Sequence, residues 1–485
     1  MNKKLKEMKT LKKILKIAVK TIASLLAIII IFAFCIMLLS KKDRGTPLVK
    51  LGEEIENIAI TNASLISMVD NDSVISYNKT ILIENGQIKN IIEDSINIPP
   101  KYKVVDIEGR YVTPGLIDMH AHIFDRSDLP MYLSYGVTTV RNMMGFPMHL
   151  RWREQVRMNE YPGSKLITAS PTINSGSDKS PFHKNISETQ EGINAVKEYK
   201  KLGYDFIKIY GGLNKEQLEG IVDEATKNDL IVAGHPPQGI ELEDYLKLNI
   251  NSYEHVEEVI QSMMNYKLDT ILGRQIAKQL KASDAKITVT LSPFYNIYKS
   301  TLEGEHFITT IPKYKINPFT RFIGKKQLSE WVGTNEGTYK WNKEKYECME
   351  DLTKILYEEN VELLLGTDTG PNLTIPGITV HDEMELLSKV GISNIDILKS
   401  GTINASKALG LSNELGSIEQ GKQANIIISD QNPLDKISTL RFPHLILNNG
   451  VVYNTSAINE LRELGLDKSN LLMTIGRFID HMIQK

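Results

Sequence analysis

The stretch VTPGLIDMHAHIF, Val112 to Phe124, is a hydrophobic run interrupted by Pro-Gly, with two histidines one residue apart near its end. In a strand, residues two apart project to the same side, so His120 and His122 aim both imidazoles at one point beyond the strand end. Imidazole is the commonest protein metal ligand, and a pair on one rigid element needs partners from elsewhere to hold an ion. Packing histidines would show the same spacing. The rest of the chain decides between the two readings.

Working outward, short apolar runs alternate with helical stretches, the signature of β/α units around a parallel sheet. Eight strands are predicted: Val112–Met119, Thr138–Arg141, Lys165–Ala169, Phe206–Tyr210, Leu230–Gly234, Asn251–Glu254, Lys286–Leu291 and Val361–Gly366. The expected fold is α/β, a (β/α)8 TIM-like barrel over residues 112–410, whose active site collects at the C-terminal strand ends. Residues 292–360 insert between strands 7 and 8 and mix aromatics with Lys313, Lys315, Arg321, Lys325 and Lys326. That insertion reads as a lid for an anionic or peptide-like substrate, or equally as a solvated helical excursion.

Flanking the barrel, short β-type runs separated by Asn, Asp, Gly and Pro recur before Val112 and after Gly416. Residues 57–111 and 411–454 are expected to form one composite β-sandwich domain, two unrelated β caps being the alternative. Residues 455–485 show helical spacing, a tail that packs on the barrel or lies against a membrane.

The predicted strand ends carry chemistry. His120 and His122 stand at strand 1, Lys208 within strand 4, His235 after strand 5, His255 after strand 6 and Asp368 after strand 8. Singly, each has a dull explanation, such as a buried lysine stem or an N-cap aspartate. Only ten histidines occur in the chain, however, and four of them fall on one predicted rim. Arg141 reads either as a contact for a substrate carboxylate or as the partner of structural carboxylates. Tyr210, His183 and His381 read as cap or loop residues.

In this set and in the series TPGLIDMHAH, DFIKIYGG, AGHPP, SYEHVEE, LLLGTDTG, TINASKALGL and GSIEQGKQANIII, the chain resembles the amidohydrolase superfamily. Within it, the chain resembles the imidazolonepropionase-like and prolidase-like metal-dependent hydrolases. The resemblance implies a binuclear site. His120, His122 and Asp368 would hold one divalent ion, His235 and His255 a second, and Lys208, N-carboxylated, would bridge them together with a hydroxide. Zinc is the default for such a donor set. An ammonium has no lone pair, so a lysine at two dications must be neutral or modified. The implied reaction is hydrolysis of an amide C–N bond, linear or cyclic, with Asp368 as general base and a dipeptide or N-acyl amino acid as substrate. Lactone or phosphoester hydrolysis at the same site is one alternative, and a non-catalytic surface binding module is another.

Bulk properties set the context. Through Arg44 the chain carries 11 Lys and Arg against Glu7 and Asp43, leaving 46 of its 57 basic and 57 of its 59 acidic side chains to the body. An acidic body repels phosphate backbones, which argues against nucleic acid as a partner; a small-molecule or short-peptide substrate fits, and an oligomer is compatible. Residues 21–40 hold no charge and are long enough to cross a membrane as a helix. Eight lysines precede them, so the positive-inside rule predicts a basic cytoplasmic tail at 1–20, a transmembrane helix at 21–40, a linker at 41–56 and an extracytoplasmic body. No A-x-A-like cleavage site follows the apolar run, which favours an uncleaved anchor over a signal peptide. With only Cys35 and Cys348, the body must be stable without disulfides.

Overall fold

Pro114 and Gly115 divide the opening stretch between two sheets. Tyr111–Pro114 pairs antiparallel with Ile426–Ser429, whereas Leu116–Ala121 pairs parallel with Val137–Asn142. The single strand expected over Val112–Met119 is therefore two. Proline has no N–H to continue a ladder, and a Cβ on Gly115 would meet Thr138 Oγ1 at 2.2 Å, so only glycine lets the chain pass there.

The computed structural model describes residues 2–41, 49–69, 74–93, 97–176 and 180–485. The other predicted strands are present within a few residues of their expected bounds: Val137–Asn142, Lys165–Thr168, Phe206–Ile209, Ile231–Gly234, Ser252–Glu254, Lys286–Thr288 and Glu362–Leu364. Strand 7 ends earlier than expected, because Leu291 already begins a helix. The first three strands form one parallel sheet, and the remaining five belong to another that also includes two short strands at Ile173–Asn174 and Lys184–Asn185. The two sheets meet at both edges. Ser170 N–H donates to Phe206 O at 2.8 Å, and Met119 N–H donates to Leu365 O at 2.8 Å. The result is the α/β, TIM-like arrangement, with strands such as Leu116–Ala121, Val137–Asn142 and Phe206–Ile209 buried along their whole length.

Gly366 marks how closely strand 8 approaches strand 1: a Cβ there would lie 2.4 Å from Thr288 Cγ2 and 3.0 Å from His120 Cβ. We expect Gly366→Ala to cost about 1–3 kcal/mol by overpacking and to displace His120. Denaturant unfolding checks the first effect, and an unchanged midpoint would contradict it.

Strands from both ends of the body share a nine-stranded sheet that runs from Glu53–Glu54 through Val451–Tyr453, Leu445–Asn448, Ile426–Ser429, Tyr111–Pro114 and Asn57–Leu65. Hydrogen bonding is continuous across it, and it begins before residue 57, at Glu53. Ile58, Ile83, Ile428 and Leu447 belong to a single buried core, which excludes two unrelated caps.

The insertion after strand 7 is helical at Leu291–Glu303, Glu305–Thr310, Pro318–Ser329 and Glu336–Glu358. Ile308, Ile316 and Leu328 pack with Leu373 and Ile375 from the loop after strand 8. Lys313 donates to Ile308 O, and Lys315 lies over the Tyr135 ring. Those two lysines hold structural contacts instead of simply facing water. Cys348 is buried and free, and Cys35 is exposed.

Residues 48–468 form one compact unit. The other comprises the N-terminal segment and residues 469–485, so the expected 455–485 tail is divided. Helix Thr455–Leu466 belongs to the body, where Gly465 abuts Met131. The N-terminal helix is continuous over Asn2–Lys41, running through both the expected tail and the expected span. Among the described residues, Met8–Lys41 is the one helix long and apolar enough to cross a membrane. Residues 42–48 of the expected linker lie outside the described residues.

Candidate active site

Three backbone positions at the strand ends adopt left-handed conformations that branched or bulky residues avoid: His255 (φ 69°), Thr290 (φ 55°) and Asp368 (φ 48°). Such turns redirect a side chain from the barrel wall toward its axis, and strained positions of this kind cluster at functional sites. Asp368 Oδ1 lies 2.9 Å from His122 Nε2 and 3.4 Å from His120 Nε2. These three residues form a group able to hold a metal ion. The His120 and His255 rings are 4.5 Å apart between centroids, and those of His255 and His235 are 4.8 Å apart. His120 sits inside its strand and His122 just beyond it. Lys208 occupies the fourth strand, fully buried. Lys208 and Asp368 act electrostatically on both His235 and His255, and Lys208 acts on Asp368. The structure thus brings together all six residues expected from the sequence.

Carboxylates and a hydroxyl behind the imidazoles orient them. Glu254 Oε2 accepts from His120 Nδ1 at 2.8 Å, Glu258 Oε1 accepts from His235 Nδ1 at 2.8 Å, and Thr290 Oγ1 pairs with His255 Nδ1 at 2.6 Å. An Nδ1–H bonded to a carboxylate leaves the Nε2 lone pair facing the cavity. Burial lowers the pKa of all three rings, His255 to about 3, so each is a neutral imidazole. Burial also pulls Lys208 down to about 8. For Asp368, burial pushes upward, yet the hydrogen bond from His122 and the positive groups nearby outweigh it and hold the carboxyl below its ordinary value.

Glu254 is held in turn by Arg141, which donates to Glu254 Oε1 at 2.8 Å and to Ser252 Oγ at 2.9 Å. Both side chains are fully buried. Of the two readings open for Arg141, the structural pairing is the one observed. We expect Arg141→Ala to cost about 3–5 kcal/mol, because it strands a buried carboxylate, whereas Arg141→Lys loses the fork but keeps the charge and costs less. Denaturant titration of the two variants checks this, and equal midpoints would contradict it.

Deeper still, Asp118 accepts from Thr367 Oγ1 at 2.6 Å and from Tyr132 O–H at 3.1 Å, tying strand 1 to the turn that carries Asp368. Burial lifts Asp118 to about 7. Glu383 caps the helix after Thr290 by accepting from Leu291 N–H and Ser292 N–H, each at 2.7 Å. His381 is buried against the Tyr135 carbonyl, remote in role from the histidine cluster. Tyr210 stacks near His235 at 4.1 Å between centroids, with His183 beyond it at 4.9 Å. Both residues stand in loops, as expected, and those loops lie at the rim beside the cluster. The insertion contributes Phe294, 6.2 Å from the His255 ring, and Asn317, which donates to Asp125 Oδ2 at 2.7 Å. Glu254, Glu258 and Thr290 were not anticipated. The only sequence signal for the first two is their position beside His255 in SYEHVEE.

Comparison with known proteins agrees with this architecture. Residues 111–456 match the Amidohydrolase family. The chain is 22% identical to the imidazolonepropionase of Fusobacterium nucleatum over 388 residues, covering 75% of this chain and 87% of that one. Among solved structures, bottromycin amidohydrolase aligns with a TM-score of 0.69 at 20% identity, covering 85% of this chain and 91% of that one. A Xaa-Pro dipeptidase with bound methionine aligns with a TM-score of 0.65 at 18% identity, covering 82% of this chain and all of that one. The two structural likenesses speak for the fold, and the family match spans well over half of the sequence. The chain belongs to the amidohydrolase family and is a hydrolase acting on carbon–nitrogen bonds.

Proposed function

We infer that the protein hydrolyses an amide bond, linear or cyclic, in a small or short-peptide substrate such as a dipeptide or N-acyl amino acid, outside a membrane in which its N-terminal helix is anchored. The observation that carries the reaction is the convergence of His120, His122, Lys208, His235, His255 and Asp368 at one rim, with three imidazoles fixed from behind. The likeness to a Xaa-Pro dipeptidase structure supports the substrate class. Eight lysines before the apolar run support the orientation, with 1–20 cytoplasmic, 21–40 spanning and 57–111, 112–410 and 411–454 outside.

The residues suit a pair of divalent ions, zinc first among them. His120, His122 and Asp368 would hold one, His235 and His255 the other. His122 Nδ1 and Lys208 Nζ are buried without a hydrogen-bond partner among the described residues, which is costly unless something else satisfies them. Carboxylation resolves this for Lys208. Its neutral amine would attack carbon dioxide and lose a proton, and the carbamate so formed would be an anion able to serve as a metal ligand where an ammonium cannot. The chemistry such ions would supply, held by these residues, is acidification of a water and polarisation of the scissile carbonyl. Asp368 takes the proton of the attacking water at its carboxylate and delivers it to the departing nitrogen. Glu254, Glu258 and Thr290 keep the imidazoles from rotating, and Phe294 and the insertion restrict water above the rim.

Turnover by the purified full-length protein, with and without chelator, tests the reading against dipeptides, N-acyl amino acids, cyclic amides, lactones and phosphoesters. Chelator-sensitive cleavage of a C–N substrate in preference to the oxygen esters is expected. Faster turnover of a lactone or phosphoester would overturn it.

A further inference from the structure

The C-terminal helix, Leu471–Gln484, is amphipathic in the wrong sense for a helix in water. At 100° per residue, Leu471, Leu472, Ile475, Ile479, Met482 and Ile483 fall within an arc of about 120°. Four of these are exposed, Ile483 at 68%, and the other two half-buried. The opposite side carries Arg477, Asp480 and His481, which are 3%, 3% and 0% exposed. Charge is inside and hydrocarbon outside. A globular helix shows the reverse, so the outward face is built to meet something apolar.

Its partner in the same compact unit is the end of the N-terminal helix. There Ile36, Met37 and Ser40 are buried, with Ala33 and Lys41 half-buried, a stripe at helical spacing on an otherwise exposed rod. Gly476 meets this stripe so closely that a Cβ would lie 2.7 Å from Ile36 O and 2.9 Å from Ser40 Oγ. Lys41 Nζ pairs with Asp480 Oδ1 at 2.8 Å, and the Asp480 side chain is only 5% exposed. The rest of the N-terminal helix bares an apolar surface, Ile28 to Phe32 being more than half exposed.

We propose that the C-terminal helix is the second member of a two-helix anchor: clamped to the last turns of the N-terminal helix, it lays its outward apolar face into the interfacial layer of the same lipid bilayer. The occupant is lipid because the exposed face continues the apolar surface of the spanning helix. The inference rests on that helix being retained as an anchor, and it gives a reason for retention, since removal would bare Gly476, Phe478 and Asp480.

The test uses the full-length protein carrying Cys35→Ser, with Cys348 left in place because it is buried. Cysteine is introduced by Ile483→Cys, or by Lys436→Cys on an exposed part of the body as control, and labelled with an environment-sensitive fluorophore. The protein is reconstituted in vesicles of phosphatidylcholine and phosphatidylglycerol. Nitroxide lipids labelled near the headgroup should quench position 483 at least about twofold more than the control, as for a helix lying shallowly in the interface. Adding Asp480→Lys, which sets two ammonium groups together, should abolish the excess quenching, and Lys41→Asp with Asp480→Lys should restore it. Equal quenching at 483 and 436, in protein that alkaline carbonate leaves in the membrane, overturns this inference and leaves the anchor standing; a label shielded from water but unquenched by lipid points to a second protein copy and overturns it too. Quenching indifferent to Asp480→Lys overturns the clamp. Release of the protein by carbonate overturns the anchor itself.

Discussion

Asp368→Asn is expected to lower kcat/KM at least about 1,000-fold while leaving the thermal midpoint within about 3 °C of the parent. The activity loss follows from position. Oδ1 lies 2.9 Å from His122 Nε2 and 3.4 Å from His120 Nε2, and an amide there carries neither the negative charge nor the basicity to take up a proton. The fold should persist because asparagine tolerates the left-handed backbone at φ 48° as well as aspartate does, and because the turn is held by the bond from Asp368 N–H to His120 O at 2.7 Å. Steady-state kinetics beside a circular-dichroism melt separates the two effects. Activity within tenfold of the parent would remove Asp368 from the proton path.

Lys208→Ala should produce a loss of similar size, accompanied by loss of bound metal and by partial recovery when acetate or propionate is added to take the place of the carbamate. The metal-free protein offers an independent readout at the same residue. Burial lowers Lys208 from 10.5 to about 8, so between these values the unfolded chain binds more protons than the folded one. Stability therefore rises with pH across that window, by about 3 kcal/mol, and is diminished below it. The same window should flatten in Lys208→Met. A variant that keeps full activity and its full metal content would refute the bridge.

The strand-end histidines were legible in the sequence because a β/α barrel makes position along the chain equivalent to position on a rim. Once Phe206–Ile209, Ile231–Gly234 and Ser252–Glu254 are recognised as successive parallel strands, Lys208, His235 and His255 fall at or near the same ends of adjacent strands. The partners behind them were not legible in the same way. Glu254 is one residue from His255 but serves His120, 134 positions away, and its charge is met by Arg141 from strand 2. Tertiary pairing of this sort leaves no spacing in the chain. Nor does the division of the C-terminal tail, since helix Thr455–Leu466 and helix Leu471–Gln484 both have regular apolar spacing and differ only in what each one meets. At Pro114-Gly115 the hydrophobic run continued through a change of sheet, and the clash a Cβ would make with Thr138 lay outside the reach of periodicity.

The central claim is that six dispersed side chains share a pair of cations. Anomalous diffraction from crystals of the protein, with elemental analysis of the same preparation, addresses it most directly. The account predicts two ions per chain among His120, His122, His235, His255 and Asp368, with density for a carbamate on Lys208. Ions bound elsewhere, or a bare Lys208 amine beside a cluster without metal in catalytically active protein, would contradict it.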